Sequence, residues 1–230
     1  VMIYTVTLNP ALDKTVQIPS FRLGEVNRIS AMRTDPGGKG INVSKVLREL
    51  GEPSVATAIL GGAAGRKIES ALRALGIEGL YLFTGHETRT NLKIVDPTLH
   101  TNTDVNEPGA PADEAVLSKL LTQLTGRLRP GDLVVLSGKA PAGAPDTLYR
   151  DWILACRAAG AAVYLDAEGE LLRQGVTAGP ALIKPNQAEL SGVMGRPLTT
   201  EDETIRAAQE LLAQGVGCVA VTMGAGGALL

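Results

Sequence analysis

The run Pro36-Gly37-Gly38-Lys39-Gly40-Ile41-Asn42 is the most chemically pointed stretch of the chain. It opens a helical pattern with Val43, Val46, Leu47 and Leu50 at i, i+3, i+4 and i+7. Glycines ahead of a helix let the backbone approach a ligand, and the free N–H groups of a first turn favour anions or hydroxyls. Lys39 adds a cation. The run is neither a Walker A loop nor GxGxxG. An ordinary glycine turn with a solvated lysine has the same composition. Asp13 closes Thr7-Leu8-Asn9-Pro10-Ala11-Leu12-Asp13 just past the first apolar run, where an α/β sheet binds ligands at its strand ends. Its carboxylate is able to accept from two adjacent sugar hydroxyls, or simply to close a turn.

Three further segments carry polar groups at suggestive positions. Arg89-Thr90-Asn91 offers a guanidinium for bidentate phosphate binding, or an exposed strand charge. In Lys184-Pro185-Asn186-Gln187-Ala188-Glu189 the Asn-x-x-Glu spacing favours a capping box, with water-mediated placement of magnesium by Glu189 as the other reading. Thr222-Met223-Gly224-Ala225-Gly226-Gly227 is either a β-hairpin turn or a place where a nucleotide lies close to the backbone. His86 and His100 have no partners at metal-ligand or triad spacing.

The elements that must position these residues alternate in type. Short apolar runs at 133–136, 162–165, 181–183 and 219–222 read as buried strands. Helical patterns fill 145–159 and the stretch opened by the capping box Thr200-x-x-Glu203, with Ile205, Ala208, Leu211 and Leu212 on one face. Gly226–Leu230 reads as a further strand, and we expect the polypeptide to continue past it. Alternating strands and helices predict a parallel sheet covered on both faces. Residues 14–34 and 88–106 break the pattern. They hold polar/apolar alternation at 14–18, 27–32, 90–95 and 101–105 without a helix between, and so predict a small antiparallel β flap, or lid. The remainder, 1–13, 35–87 and 107–230, forms the α/β core. A one-faced flap must cover something, a ligand or a second copy of the chain.

Composition removes several classes of function. A formal net charge of −2 argues against a nucleic-acid partner. The chain has 27 glycines among its 230 residues and only 3% aromatics, which suits layered α/β packing better than a β-sandwich. Cys156 and Cys218 form no CxxC pair, consistent with a reduced, cytoplasmic setting, and no run is long enough to span a membrane.

In order and separation, TLNPALD (7–13), GGKGINVS (37–44), Arg89-Thr90-Asn91, Ser137-Gly138, Lys184-Pro185-Asn186-x-x-Glu189 and the glycine turn after Thr222 resemble the phosphofructokinase B family of ribokinase-like carbohydrate kinases, from Met2 to Leu230. TLNPALD and GGKGINVS are closest to the branch that holds 1-phosphofructokinase and tagatose-6-phosphate kinase, and Asp104–Gly109 tilts the reading to the former. The resemblance implies a three-layer α/β/α core with a mostly parallel sheet plus the β lid. It implies transfer of the γ-phosphoryl group of ATP, with Mg2+, to a ketohexose monophosphate, and a homodimer through the lid. Asp13, Gly38, Lys39, Asn42, Arg89 and Asn91 would bind the sugar phosphate. Lys184, Asn186, Thr222, Gly224 and Gly227 would bind the nucleotide, with Glu189 and Asp166 on the metal side.

The family's base lies in a Gly-Ala-Gly-Asp motif. That motif does not occur in these 230 residues and is expected downstream. Lys139-Ala140 stands where relatives usually carry Ser-Leu after Ser-Gly, and Lys139 either faces the phosphates or signals a shifted preference. Fructose 1-phosphate is the favoured acceptor. Tagatose 6-phosphate, fructose 6-phosphate and a non-catalytic sensor of sugar phosphate or nucleotide are the alternatives. A doubly wound oxidoreductase would need GxGxxG after the first strand, and it is missing.

Overall fold

Tyr4, Thr5, Val6 and Thr7 are all buried, so the first strand, β1 (Ile3–Thr7), is enclosed on both faces as a central parallel strand must be. The computed structural model describes residues 1–230. Along the chain β1 is followed by β2 (Ala11–Gln17), β3 (Ala31–Gly37), α1 (Lys39–Glu49), β4 (Ser54–Gly61), α2 (Gly62–Ala74), β5 (Glu78–Thr84), β6 (Arg89–Asp96) and β7 (Thr101–Val105). Then come α3 (Glu114–Thr125), β8 (Leu133–Ser137), α4 (Leu148–Ala158), β9 (Ala162–Asp166), α5 (Gly169–Val176), β10 (Leu182–Ile183), α6 (Gln187–Met194), α7 (Glu201–Ala213), β11 (Val221–Thr222) and β12 (Ala228–Leu229).

Six strands pair in parallel in the order β10-β9-β8-β1-β4-β5. The chain builds outward from β1 to β5, then crosses back and builds the other way from β8 to β10. Strand order therefore reverses between β1 and β8, and the carboxyl ends of those two strands form the crevice where such sheets bind ligands. Helices α1 and α2 cover one part of the sheet over a core that includes Ile41, Leu60, Ile68 and Leu72. The larger core, including Leu120, Leu136, Tyr149, Ile153 and Leu165, lies under the later helices. Each such fully buried aliphatic side chain contributes about 1.5–3 kcal/mol. The Cys156 thiol lies in this core, and burial pushes its pKa up to about 12, which leaves it chemically inert. No helix is long and apolar enough to cross a membrane.

The second sheet has the order β3-β2-β6-β7. Each hairpin is antiparallel, and the two hairpins join through a parallel pair, β2 with β6. The first lid excursion begins at Ala11 rather than Lys14 and runs to Gly37 rather than Thr34. Its returning strand is Ala31–Gly37, not 27–32, because the Asn27 side chain closes a turn on Arg22, accepting from its N–H at 3.0 Å and donating to its carbonyl at 2.7 Å. One lid face is apolar and buries Val16, Ile18 and Ile94. The other is polar.

Several helix faces differ from the apolar spacing. In α1 the buried residues are Gly40, Ile41 and Ser44, while Val46 and Leu50 are exposed. Glycine and serine let α1 lie close on β1, where Ser44 Oγ meets Thr5 Oγ1 at 2.7 Å and Ser54 Oγ at 3.0 Å. In α7 the buried residues are Thr204, Ala207 and Leu211, and Ile205 and Leu212 reach the surface. The helix expected over 145–159 begins at Leu148, after a turn closed by the Leu148 N–H on the Pro145 carbonyl. The strand expected at 219–222 keeps only Val221–Thr222 as β11, which is antiparallel to β12, and Val219 bridges to Ile183.

Two carboxylates fasten the ends of these elements. Asp132 is held below the usual range by the bond from the Met2 N–H, aided by the Arg129 N–H and opposed by burial. Glu203, in the α7 capping box, accepts from the N–H and Oγ1 of Thr199 and the N–H of Thr200, which lower its pKa to about 2. The unfolded chain binds more protons than the native one across the carboxylate range. This stabilisation is therefore complete above about pH 5 and is lost as pH falls through about 4 toward the native values. Thermal unfolding followed from about pH 6 to about pH 3 is expected to show a falling Tm, with a shallower fall in Glu203→Gln. Identical slopes would contradict the role given to Glu203.

Candidate active site

Gly38 and Gly40 determine where α1 begins. Gly38 caps the helix at φ +120°, a conformation that favours glycine, and a Cβ there would stand 2.5 Å from Thr7 Cγ2. A Cβ on Gly40 would stand 2.5 Å from Thr7 Oγ1. The end of β1 is thus pressed into the first turn of α1, where Thr7 Oγ1 accepts from the Ile41 N–H at 2.9 Å. The Lys39 and Gly40 N–H groups have no partner in the protein and lie at the positive end of the helix. A Cβ on Gly138, at the end of β8, would lie 3.7 Å from Lys39 Cβ. The start of α1 therefore sits over the reversal point of the sheet.

From here Lys39 reaches Asp166, at the end of β9, with Nζ 3.2 Å from Oδ1. Lys184, just past β10, reaches the other oxygen of the same carboxylate at 3.4 Å. Asp166 thus holds two ammonium groups side by side, one from each half of the chain. Such partly exposed pairs add little stability, so their value is positional. The loop after β8 is fixed from beneath by Tyr149, a buried residue of α4 whose hydroxyl donates to the Gly138 carbonyl at 3.0 Å. Burial raises its pKa above the ordinary tyrosine value, so it remains a neutral donor.

Between the polar lid face and α1 lies an open cavity of about 520 Å³. Strand register puts Asp35, Asp13 and Asn91 in one row across it, and Arg33, Thr15, Lys93 and Asp104 in the next row on the same face. Asn91 Nδ2 donates to Asp13 Oδ1 at 2.9 Å. A Cβ on Gly37 would meet Asp13 Oδ2 at 2.0 Å, so glycine is what lets this carboxylate lie flat on the backbone. Lys45 of α1 also lines the cavity.

The nucleotide-side residues split. Asn186 and Glu189 form the capping box of α6, with both bonds at 2.8 Å, so the cap reading holds and one Glu189 oxygen is left without a partner. Asn186 bridges to Thr222, which brings α6 beside the β11–β12 hairpin. The hairpin reading also holds. Its Gly224 and Gly227 take positive φ with open space where a Cβ would stand. Arg89 does not line the lid cavity. Its Nη1, Nη2 and Nε donate to the carbonyls of Glu107, Asn9 and Pro10 at 3.0, 3.2 and 3.4 Å, so it braces the root of the lid. Lys139 pairs with Glu168 at 3.1 Å at the surface. Asn42 is exposed, one turn ahead of Lys45. No group of three acidic, histidine or cysteine side chains forms a metal cage.

A pfkB family carbohydrate kinase model matches residues 6–230. The chain is 42% identical over 229 residues to the 1-phosphofructokinase of Rhodobacter capsulatus, covering 99% of this chain and 72% of that protein. It is 36% identical over 229 residues to the 1-phosphofructokinase of Bacillus subtilis, covering 100% and 74%. This chain belongs to the pfkB family of carbohydrate kinases. Among solved structures, phosphofructokinase-2 from Escherichia coli in complex with fructose-6-phosphate superposes with a TM-score of 0.94 at 32% identity, covering 100% of this chain and 76% of that one.

For this pfkB-family chain, reading from sequence missed Thr7, Tyr149 and Lys45. Thr7 had a legible signal, since a residue closing a strand opposite Gly-x-Gly is the natural filler of that notch. Tyr149 and Lys45 have none, because only tertiary packing brings them to the site. Thr7→Val keeps the shape and leaves the buried Ile41 N–H unpaired. It is expected to cost about 1–3 kcal/mol in urea unfolding, while an unchanged midpoint would remove Thr7 from this role.

Proposed function

We propose that the protein is an ATP-dependent kinase that phosphorylates a ketohexose monophosphate, with fructose 1-phosphate converted to fructose 1,6-bisphosphate. The observation that carries this is the meeting of three features at the start of α1. They are the unpaired N–H groups of Lys39 and Gly40, the lysine pair on Asp166, and the adjoining cavity that presents Asp13 and Asn91. Relatives named 1-phosphofructokinase support the choice of acceptor. The fructose-6-phosphate complex of the Escherichia coli neighbour supports fructose 6-phosphate as the second candidate.

Phosphoryl transfer asks the protein mainly for alignment and charge neutralisation. Asp13 accepts from sugar hydroxyls and Asn91 orients it, so the acceptor is fixed by its ring rather than by its reacting end. The ATP phosphates lie between Lys184 and the α6–hairpin edge formed by Asn186, Thr222, Gly224 and Gly227. Lys39 and the N–H groups of the first turn of α1 face the charge that builds on the transferred group. A magnesium ion arriving on ATP needs only one or two carboxylates beside the phosphates, and spreads their charge when bound. Glu189, with its unpartnered oxygen, and Asp166 fit that need. Leu23, Val26 and Met32 of the lid are 90, 86 and 59% exposed, and we assign this apolar surface to a homodimer contact. The enzyme is placed in the cytoplasm, where its two free cysteines stay reduced.

ADP release by the complete gene product, offered fructose 1-phosphate, fructose 6-phosphate and tagatose 6-phosphate with ATP and magnesium, tests the proposal. Fructose 1-phosphate is expected to be turned over fastest. Lys39→Ala is expected to lower kcat by about 10²- to 10³-fold, and Asp13→Ala to abolish turnover. A folded protein that binds ATP and phosphorylates none of the three would overturn it.

A further inference from the structure

Three lysines from three parts of the chain, Lys39, Lys139 and Lys184, are gathered at the carboxyl end of β9. We infer that Lys139 leaves Glu168 for the γ-phosphoryl group of ATP and neutralises charge there during transfer. This inference rests on the ATP-dependent kinase reading and adds a catalytic side chain to it.

Asp166 ends β9 and holds Lys39 at 3.2 Å and Lys184 at 3.4 Å. Two residues further on, Glu168 holds Lys139 at 3.1 Å. Three ammonium groups against two carboxylates leave an excess of positive charge near the unpaired N–H groups of Lys39 and Gly40. The backbone under Lys139 is fixed. Gly138 donates its N–H to the Asp166 carbonyl at 2.9 Å, and its own carbonyl accepts from the Tyr149 hydroxyl at 3.0 Å. Gly138 takes φ +89°, and a Cβ there would lie 3.7 Å from Lys39 Cβ, so the loop after β8 turns directly against the start of α1. Lys139 is therefore anchored beside Lys39.

The side chain on that anchor is loosely held. Lys139 is 72% exposed and Glu168 47%, so water screens their pair and little stability is lost when it opens. A terminal phosphate offers three acceptor oxygens and more charge than one carboxylate, and the flexible stem of a lysine lets its ammonium follow them. During transfer the bond between the γ-phosphorus and the β–γ bridging oxygen breaks, and a bond to the sugar oxygen forms. The hydroxyl proton passes to a general base of the complete gene product, and ADP leaves with the bridging oxygen. Lys139 stays protonated throughout and bonds to no phosphorus. It faces charge spread over the oxygens of the moving group. ADP has no γ-phosphate, so after transfer the ammonium returns to Glu168.

Calorimetric titration of the complete gene product with ATP and with ADP, each with magnesium, tests this inference. Lys139→Met is expected to weaken ATP binding about tenfold and to leave ADP binding within about twofold. In turnover it should lower kcat about ten- to a hundredfold, with the KM for fructose 1-phosphate within about twofold. Lys139→Arg should restore much of both losses. Glu168→Gln, which frees Lys139, should tighten ATP binding about two- to fivefold, and it keeps the test open if the methionine variant does not fold. The wild-type ratio of ATP to ADP affinity in Lys139→Met would overturn the inference. So would recovery of ATP binding when Glu168→Gln is added to Lys139→Met, since the single change would then act only by baring a carboxylate to the phosphates. Should the protein bind ATP and phosphorylate no ketohexose phosphate, the acceptor reading fails separately, and the comparison of ATP with ADP still decides the role of Lys139. A protein that binds neither nucleotide would overturn both.

Discussion

The contact between Thr7 and the first turn of α1 is the constraint on which the site depends. It is made possible by two absent side chains, at Gly38 and Gly40, and it presses the central strand of the sheet into the helix start. From that one seat follow the position of Lys39 over the end of β8, the direction in which Lys45 leaves the helix, and the end of β3, which runs into the same glycines. The seat also leaves the N–H groups of Lys39 and Gly40 without internal partners, an arrangement that costs stability unless an anion or water occupies it. Part of the fold's stability is thereby given over to recognition.

The lid repeats this division between structure and recognition on a smaller scale. Its own apolar cluster is just Val16, Ile18 and Ile94, too little for a sheet to stand alone. It is therefore tied down at its root. Arg89 ties it to Asn9 and Pro10. The Glu87 carboxylate accepts from the Ala64 and Ala63 N–H groups at the start of α2, which hold its pKa below the usual range. The Thr88 hydroxyl accepts from the Gly61 N–H. Three successive residues of the strand root are thus spent on attachment, and the polar face beyond them is left to the ligand.

Much of the architecture was legible in the sequence because it is written in local periodicity. Buried strands at 133–136 and 162–165, the capping boxes at Asn186 and Thr200, and two polar-alternating excursions are short-range signals. The helix faces were less legible. Apolar spacing pointed to Val46 and Leu50, whereas close packing is carried by the smallest residues, Gly40 and Ser44, which hydropathy passes over. At the site, Asp13, Asn91, Lys39 and Lys184 were singled out from motif order, and the structure puts Asn91 on Asp13 and both lysines on Asp166. Around Arg89, sequence shows a guanidinium but not the carbonyls that hold it. Lys45 and Lys93 were passed over because a lysine in a helix or strand looks solvated until the fold puts it in a cavity.

A structure of the complete gene product with fructose 1-phosphate and a non-hydrolysable ATP analogue tests the central claim most directly. The account predicts the γ-phosphate at the N–H groups of Lys39 and Gly40, between Lys39 and Lys184, with the sugar hydroxyls on Asp13. A nucleotide phosphate chain lying away from the start of α1, or a sugar bound outside the lid cavity, would contradict it.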